Sequence, residues 1–590
     1  ENLNIPGLII DAKSNQVDVM GLQATLYLNG QECDIREIQM LRPRDIEKIE
    51  YHDAPSGKYA KDKLVVNFIT KQYRYGGYVQ ADGLQMIGYD HGDYNVATNY
   101  VKGNNSYTVF AGANYSHVDG TETWNNENYQ FPQSLFDRES YSKNSYRNHQ
   151  EYMQFRYQNQ KGKRYWVGKF TLVNLSTPRN ASSGFAREST ETDIFSNIRK
   201  KSLSPKIDLN ANLPLSKNQT LILGVHGKYS ANSYHRLYQE QPFEAMTDED
   251  EKALSFQLSA IYNYFSQKHS LSVELFHYHD VWNADYSGNC ELWQHLWKGE
   301  SLAFFSYNFQ ASRRLSLKTR IGLDWLQYHL HGDNSFSQLS PRINTNVQYQ
   351  LNKGMLLWSF NFVNSNHGMD VINRAMIQVN SHMMEKGMPE LKKSHDINTY
   401  LYYMGRFNRL SVSAIGQFRY NHHPVTDDYY LDEANGKIVK TYSNGGNAQY
   451  YSAILALQYK LCKFANLSGD IRYNHAEVKT TWSKHNNNLT GNLGLNMFMG
   501  DFALKPYLHF GKKSLDEAAL VISKTPIDYG MSCSYSRGNL YVELQAVSPF
   551  KKQEKRYWLD LPIYSYSKSI KDQTASQYAS IKVAYSFDFG

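Results

Sequence analysis

The sequence predicts an all-β transmembrane barrel of about 22 antiparallel strands, preceded by a small α/β element. Three observations carry that reading. From about Tyr75 onward apolar residues recur at every second position, the period of a strand with two unlike faces. Aromatic residues make 14% of the chain, a composition suited to strands and to the aromatic girdles of a membrane barrel. The chain also ends on aromatics, in the alternating strand "YASIKVAYSFDFG".

The mean hydropathy of −0.61 is that of a soluble protein. No run of 18 apolar residues is present, which excludes a helical membrane protein. A barrel remains open because only alternate residues of each strand meet lipid.

The first 74 residues have their own pattern. "ATLYLNGQ" reads as a strand entering an Asn29-Gly30 turn, followed by a short helix around Ile35, Ile38 and Leu41 that Pro43 ends. "DIEKIEYHD" gives a charged strand, Pro55-Ser56-Gly57 a turn, and Leu64 to Thr70 an apolar strand.

Beyond this element the two faces are legible residue by residue. Ile207, Leu209, Ala211 and Leu213 alternate with Asp208, Asn210 and Asn212, and Leu254, Phe256, Leu258 and Ala260 continue the theme. Leu315, Leu317, Ile321, Leu323 and Trp325 repeat it, as do Leu540, Val542, Leu544 and Ala546. Runs of about 10 to 14 residues fit tilted membrane-spanning strands. The polar stretches 119–150, 176–200, 232–252, 364–390, 421–447, 476–490 and 548–576 are expected to be long extracellular loops, with tight periplasmic turns between them. In the last strand Tyr585, Phe587 and Phe589 form the expected barrel-insertion signal, read by the barrel assembly machinery.

Other chemistry is sparse. The net charge of +7 is spread over mixed signs without a basic block, so nucleic acid is not an expected partner. Cys33, Cys290, Cys462 and Cys533 stand far apart, which argues against a zinc site or a disulfide framework. His277 and His279, and His329, His331 and Asp333, share strand faces but make no complete ligand set, so no metal or cofactor is assigned. Asp248 to Glu251 lacks the glycine and spacing of a calcium loop and reads as solvated. No G-x-S-x-G, H-E-x-x-H or P-loop is present, which leaves an enzyme the weakest reading. Trp124, Trp282, Trp293, Trp297 and Trp482 are candidates for stacking on a ligand, with girdle anchoring the commoner role.

The N-terminal order of elements resembles the C-terminal part of the plug domain of TonB-dependent receptors. The residues carrying the resemblance are Ile5-Pro6-Gly7-Leu8, Asn29-Gly30, Asp45 to Glu50 with Glu47 and Glu50, Pro55-Ser56-Gly57-Lys58-Tyr59, and Asn67-Phe68-Ile69-Thr70-Lys71. "GMPELKKSHDINTYLYY" (387–403) and Ser548-Pro549-Phe550 are similar to later family motifs. Ala54, Ala60 and Lys61-Asp62-Lys63 depart from it, standing where family plugs carry glycines.

The resemblance implies a plug domain at 1–74 inside a barrel at 75–590, with Arg42, Arg44, Glu47 and Glu50 pairing plug to barrel. It further implies integral placement among outer-membrane lipid and lipopolysaccharide, and energised import of a scarce ligand such as a glycan, peptide or metal chelate. The TonB complex is the implied partner if a TonB box lies upstream of Glu1. The start of the chain lacks the basic and apolar regions of a signal peptide, so a mature or incomplete form is expected. The modest expected loops suggest a surface lipoprotein partner. The alternative is a transport-inactive barrel serving as a structural or assembly subunit of an outer-membrane complex.

Overall fold

In the computed structural model the described residues are 8–10, 17–19, 22–33, 35–39, 41, 45–52, 65–71, 75–131, 134–333, 335–365, 368–550, 553–571 and 577–589. Residues from Tyr75 onward form a closed antiparallel barrel with 22 staves, as the sequence predicts. The closing strand, Tyr578–Phe589, pairs with Tyr75–Ile87 on one edge and with Leu540–Val547 on the other. Among the described residues no strand at the seam is left with an open edge. Gly77 lets this closure happen, since a side chain there would collide with the Phe589 ring.

The alternation selects the faces. Ile207, Leu209, Leu254, Leu258, Ile321, Leu323 and Trp325 are all exposed on the outside, where hydrocarbon would cover them. Gln154, Glu274, Asp324, Asn346 and Ser413 are buried on the lumen side. Tyr585, Phe587 and Phe589 lie on the outer face of the closing strand.

Stave height varies around the ring. Asn105–Phe131, Ser134–Lys161, Arg164–Arg187 and Glu191–Ser216 run 27, 28, 24 and 26 residues. A bilayer needs only about 9–11 residues per tilted strand, so more than half of this wall stands clear of it. Opposite, Gly354–Ser365, Ser394–Phe407 and Leu410–His422 have 12, 14 and 13 residues.

This corrects the expected loops at 119–150, 176–200 and 232–252, which are largely continuous ladder closed by tight turns. Above the bilayer neither face of a strand meets lipid and both carry polar residues, so the hydropathy contrast fades while the backbone pairing persists. The stretches 364–390 and 421–447 fold inward instead. Their short strands, Met376–Gln378, Met383–Lys386, Lys437–Ser443 and Thr426–Asp432, form a separate four-stranded sheet in that order. The stretch 476–490 is two strands around a turn, and 548–576 contains the strands Lys555–Asp560 and Tyr564–Lys571.

Among its described residues the N-terminal element has the expected strands and helix, while the expected Pro55-Ser56-Gly57 turn lies outside them. Thr25–Leu28 runs parallel to Val65–Thr70, which pairs antiparallel with Ile46–His52, and the helix spans Ile35–Gln39. Leu28, Val66 and Phe68 pack with Met355, Leu357, Tyr402 and Ile415 of the thirteenth to fifteenth staves. On the other side Arg36 donates to Gln150 Oε1 (2.8 Å) and Lys169 Nζ lies 3.5 Å from Glu37, reaching the fourth and fifth staves. The element therefore crosses the lumen between opposite walls.

Candidate ligand vestibule

Inside the N-terminal element the motif residues tie to one another. Asn29 and Gly30 both take positive φ, 51° and 78°, the conformation that an Asn-Gly turn supplies at low steric cost. Asn29 Nδ2 donates to Thr70 Oγ1 and the Thr70 N–H donates to Asn29 Oδ1, both at 2.9 Å. The Gly30 N–H donates to Asn67 Oδ1 (2.8 Å), and Asn67 Nδ2 donates to Glu50 Oε2 (2.9 Å). Asn67 is buried, so these bonds also satisfy polar groups cut off from water.

Glu50 also pairs with Lys48 at 2.7 Å, while Glu47 is exposed. Lys71 is exposed too, and its N–H donates to Asp45 O at 2.7 Å. Pro6, Gly7, Pro55, Ser56, Gly57, Tyr59, Arg42 and Arg44 lie outside the described residues. Among the described residues, contacts to the barrel run through Arg36 and Glu37, which sequence reasoning did not single out. Their signal was faint, since one charged pair on a short helix reads as a solvated face.

At the outer end the inward sheet meets the tall wall through a buried polar cluster. Arg138, 3% exposed, donates to Glu240 Oε1 (2.8 Å) and to the Tyr238 hydroxyl (3.0 Å), and faces Glu127 at 3.6 Å and Glu188 at 3.7 Å. The loop reaches in with three side chains. Asn380 Nδ2 donates to the Tyr129 hydroxyl (3.1 Å), Ser381 Oγ donates to Glu240 Oε2 (3.1 Å), and His382 Nε2 lies 2.7 Å from Glu188. The Tyr129 and Tyr564 hydroxyls both donate to Glu127 Oε1, at 3.0 and 2.7 Å. Burial, with Glu127 beside them, pushes both tyrosines well above their ordinary range, so they stay protonated donors.

Two further ion-pair sites hold the inward segments. Lys393 Nζ and Arg342 Nη2 converge on Asp324 Oδ2 at 2.9 and 2.7 Å, and the Lys393 and Asp324 side chains are fully buried. Lys440 lies 3.2 Å from Asp427 and 3.3 Å from Glu385, linking two strands of the inward sheet. Burial opposes its charge, yet the two carboxylates outweigh this and push the lysine up to about 12. The mouth is thus spanned by a sheet pinned at its base and at its tip.

Two cavities of about 700 Å³ each open below. One lies between the N-terminal element and the first staves, touching Asn29, Glu37, Thr70, Asn99, Arg156 and Phe589. The other runs along the inner wall past Asn474, Asn488, Asn492, Asp470, Arg472 and Tyr507. Amides, hydroxyls and paired charges suit a hydrated polar solute.

The histidines behave as girdle residues. His279 stacks on Phe256 (4.9 Å) and meets Trp297 edge-on (5.3 Å), while His277 Nδ1 is 2.9 Å from Ser301 Oγ. His331 packs against Trp293 (4.9 Å), and His329 Nδ1 is 3.1 Å from Ser335 Oγ. Trp482 instead donates to Asp428 Oδ1 (2.8 Å), beside the inward sheet.

Comparison with solved structures assigns the architecture. The copper transporter OprC superposes with a TM-score of 0.67 at 11% identity, over 99% of this chain and 94% of that one. The fold is that of the TonB-dependent receptors. The siderophore receptor PirA from Pseudomonas aeruginosa matches with a TM-score of 0.61 at 12% identity, over 99% and 94% of the two chains. The ferric enterobactin receptor PfeA gives 0.62 at 11% identity, over 99% and 96%. No protein-family model and no curated protein matches the sequence. At such identities the TonB-dependent receptor fold is shared while side chains are not, so ligand chemistry does not carry over.

Proposed function

We propose that the chain is an integral outer-membrane receptor of the TonB-dependent type, with residues 1–74 acting as plug and 75–590 as barrel. The observation that carries this reading is the element crossing the lumen between the fourth and fifth staves and the thirteenth to fifteenth. A lumen bridged in this way passes a large solute only if the bridge moves. The contacts seen among the described residues, polar at Arg36 and Glu37 and apolar at Leu28, Val66 and Phe68, are non-covalent and suit displacement by an applied force.

The ligand enters a vestibule walled by the tall staves and roofed by the inward sheet. Asparagine, tyrosine and charged side chains there favour a polar solute, and the three solved relatives are named for copper, a siderophore and ferric enterobactin. A glycan, peptide or metal chelate fits this chemistry, and a surface lipoprotein is a candidate partner at the mouth. The outer band of apolar residues sits in lipid beside lipopolysaccharide, and the closing strand is the segment offered to the barrel assembly machinery.

The test is site-specific photo-crosslinking of the protein in intact cells to the TonB complex, alongside uptake of candidate ligands. Energy-dependent crosslinks with TonB-dependent uptake are expected. Crosslinks confined to other outer-membrane subunits, with no uptake, would replace this reading by that of a transport-inactive structural barrel.

A further inference from the structure

Glu191–Ser216 and Gln219–Glu240, the sixth and seventh staves, carry two opposed cations on their lumen face. Ile207 and Val225 are exposed on the outside, so Lys206 and Lys228, of the opposite parity, face inward. The backbone register sets the two lysines directly across from one another. Side chains so placed start about 5 Å apart at Cβ, and like charges there destabilise a sheet.

Neither lysine has a carboxylate within ion-pairing distance among the described residues. Asp208, Glu251 and Asp280 attract the pair from further off, but each is engaged elsewhere. Asp208 lies 2.8 Å from His226 Nδ1 and 3.6 Å from Lys169 Nζ. Glu251 accepts from Asn232 Nδ2 (2.6 Å), and Asp280 pairs with Lys298 at 3.8 Å. The repulsion between Lys206 and Lys228 is thus left for something else to offset.

Directly above the pair is a patch of hydroxyls. Ser204 and Ser230, 8% and 4% exposed, lie 3.0 Å apart at Oγ, and Ser202 Oγ is 3.5 Å from Ser204 Oγ. Two bonds among three hydroxyls use two of their protons, which leaves one proton and several lone pairs for a guest.

The height of this patch is fixed from both sides. Asp208, one two-residue step below Lys206, shares Lys169 with Glu37 of the N-terminal element, which lies 3.5 Å from that ammonium. Arg236, on the same face as Lys228 and eight residues above it, donates to Gln378 O (2.6 Å) and to Val379 O of the inward segment. The lysines therefore sit on the floor of the vestibule, just above the crossing element and about 26 Å along the stave from the roof. Lys228 is exposed and Lys206 half-buried, so the pair is open to a solute in the lumen.

We propose that this pair binds the oxyanion of a hydroxyl-rich solute, a phosphate or carboxylate held between Lys206 and Lys228 with solute hydroxyls on Ser202, Ser204 and Ser230. This deepens the proposed receptor function, rests on the vestibule as the ligand's place of entry, and narrows the ligand to an anionic, polyhydroxylated class. The bound anion offsets the repulsion between the two ammoniums, so added salt should weaken binding.

The test is calorimetric binding to the detergent-solubilised protein, without TonB and without uptake. Failed uptake therefore leaves the site standing, and failed binding leaves the receptor reading standing. The probes are a phosphorylated oligosaccharide, an oligouronate of the same length, the neutral parent oligosaccharide and inorganic phosphate alone. At least one anionic oligosaccharide should bind tenfold or more tighter than the neutral parent, and the tighter of the two identifies the oxyanion. K228E puts a carboxylate opposite Lys206, a cross-strand pair that keeps the wall stable, and should weaken that binding about tenfold, or about 1.4 kcal/mol. K206S/K228S should weaken it at least as much, with heat-modifiable gel migration checking that both variants keep a closed barrel. No preference for either anionic oligosaccharide over the neutral parent, or unchanged affinity in a folded K228E, would overturn the proposal. Inorganic phosphate binding as tightly as the oligosaccharides would also overturn it, marking a site for free anions only.

Discussion

The wall from Asn105 to Ser216 and the wall from Phe502 to Phe589 belong to one barrel but solve the outer boundary of the membrane in opposite ways. The first continues its backbone ladder far into water, interrupted only by bulges such as that at Asp119/Thr121. The second breaks every stave at that boundary and rebuilds a separate sheet above. An uninterrupted ladder leaves few backbone groups for a ligand and holds side chains in fixed rows, which lets one arginine sit among three glutamates. A broken ladder hands part of its pairing to side chains, as where Asn486 and Asn488 bond Lys513.

The comparison can be sharpened most strongly at Arg138. Arg138→Ala removes the cation from among Glu127, Glu188 and Glu240 and leaves buried carboxylates uncompensated. The expected cost is about 3–5 kcal/mol, concentrated where Asn380, Ser381 and His382 dock. Limited proteolysis at 376–386 should accelerate while the transmembrane ladder stays protected from hydrogen exchange. Unchanged cleavage would mean that the tall wall does not hold the roof.

A smaller effect is expected at Lys393, which anchors the inward segment to a short neighbouring wall. Lys393→Met keeps the Arg342–Asp324 pair but removes a buried charge-assisted bond, a loss of about 2 kcal/mol. Hydrogen exchange should rise from Met383 to Ser394 and leave the Arg138 cluster unaltered. Equal loosening of both would make the roof one cooperative unit.

The smallest effect belongs to the broken wall. Asn486→Ala with Asn488→Ala removes the side-chain bridges to Lys513, at about 1 kcal/mol each. Amides of Lys512–Asp516 should exchange faster, with no change across Asn105–Phe131. If the tall wall responds equally, the two walls are mechanically one and the contrast drawn between them fails.

Much of the fold was legible because its physics is local. Leu254, Leu258, Ile321 and Leu323 announce a lipid face by period, and Asn29-Gly30 announces its turn by the positive φ it supplies. The height of the tall wall was hidden, because strands such as 119–131 lose the lipid face above the bilayer and carry polar residues on both faces, so they look like loops. The vestibule was hidden for another reason. Arg138 and His382 are separated by more than two hundred residues of sequence, and only chain closure brings both to Glu188.

The sequence by itself determined the barrel, its inner and outer faces, the closing strand and the compact N-terminal element, since each follows from alternation or turn chemistry within a short window. The tertiary structure alone decided which staves rise, which segments fold inward, how Arg138 meets its glutamates and where the last four staves break. Those features depend on register around a closed ring, a global constraint that fixes contacts between distant residues and leaves no periodic trace in the chain.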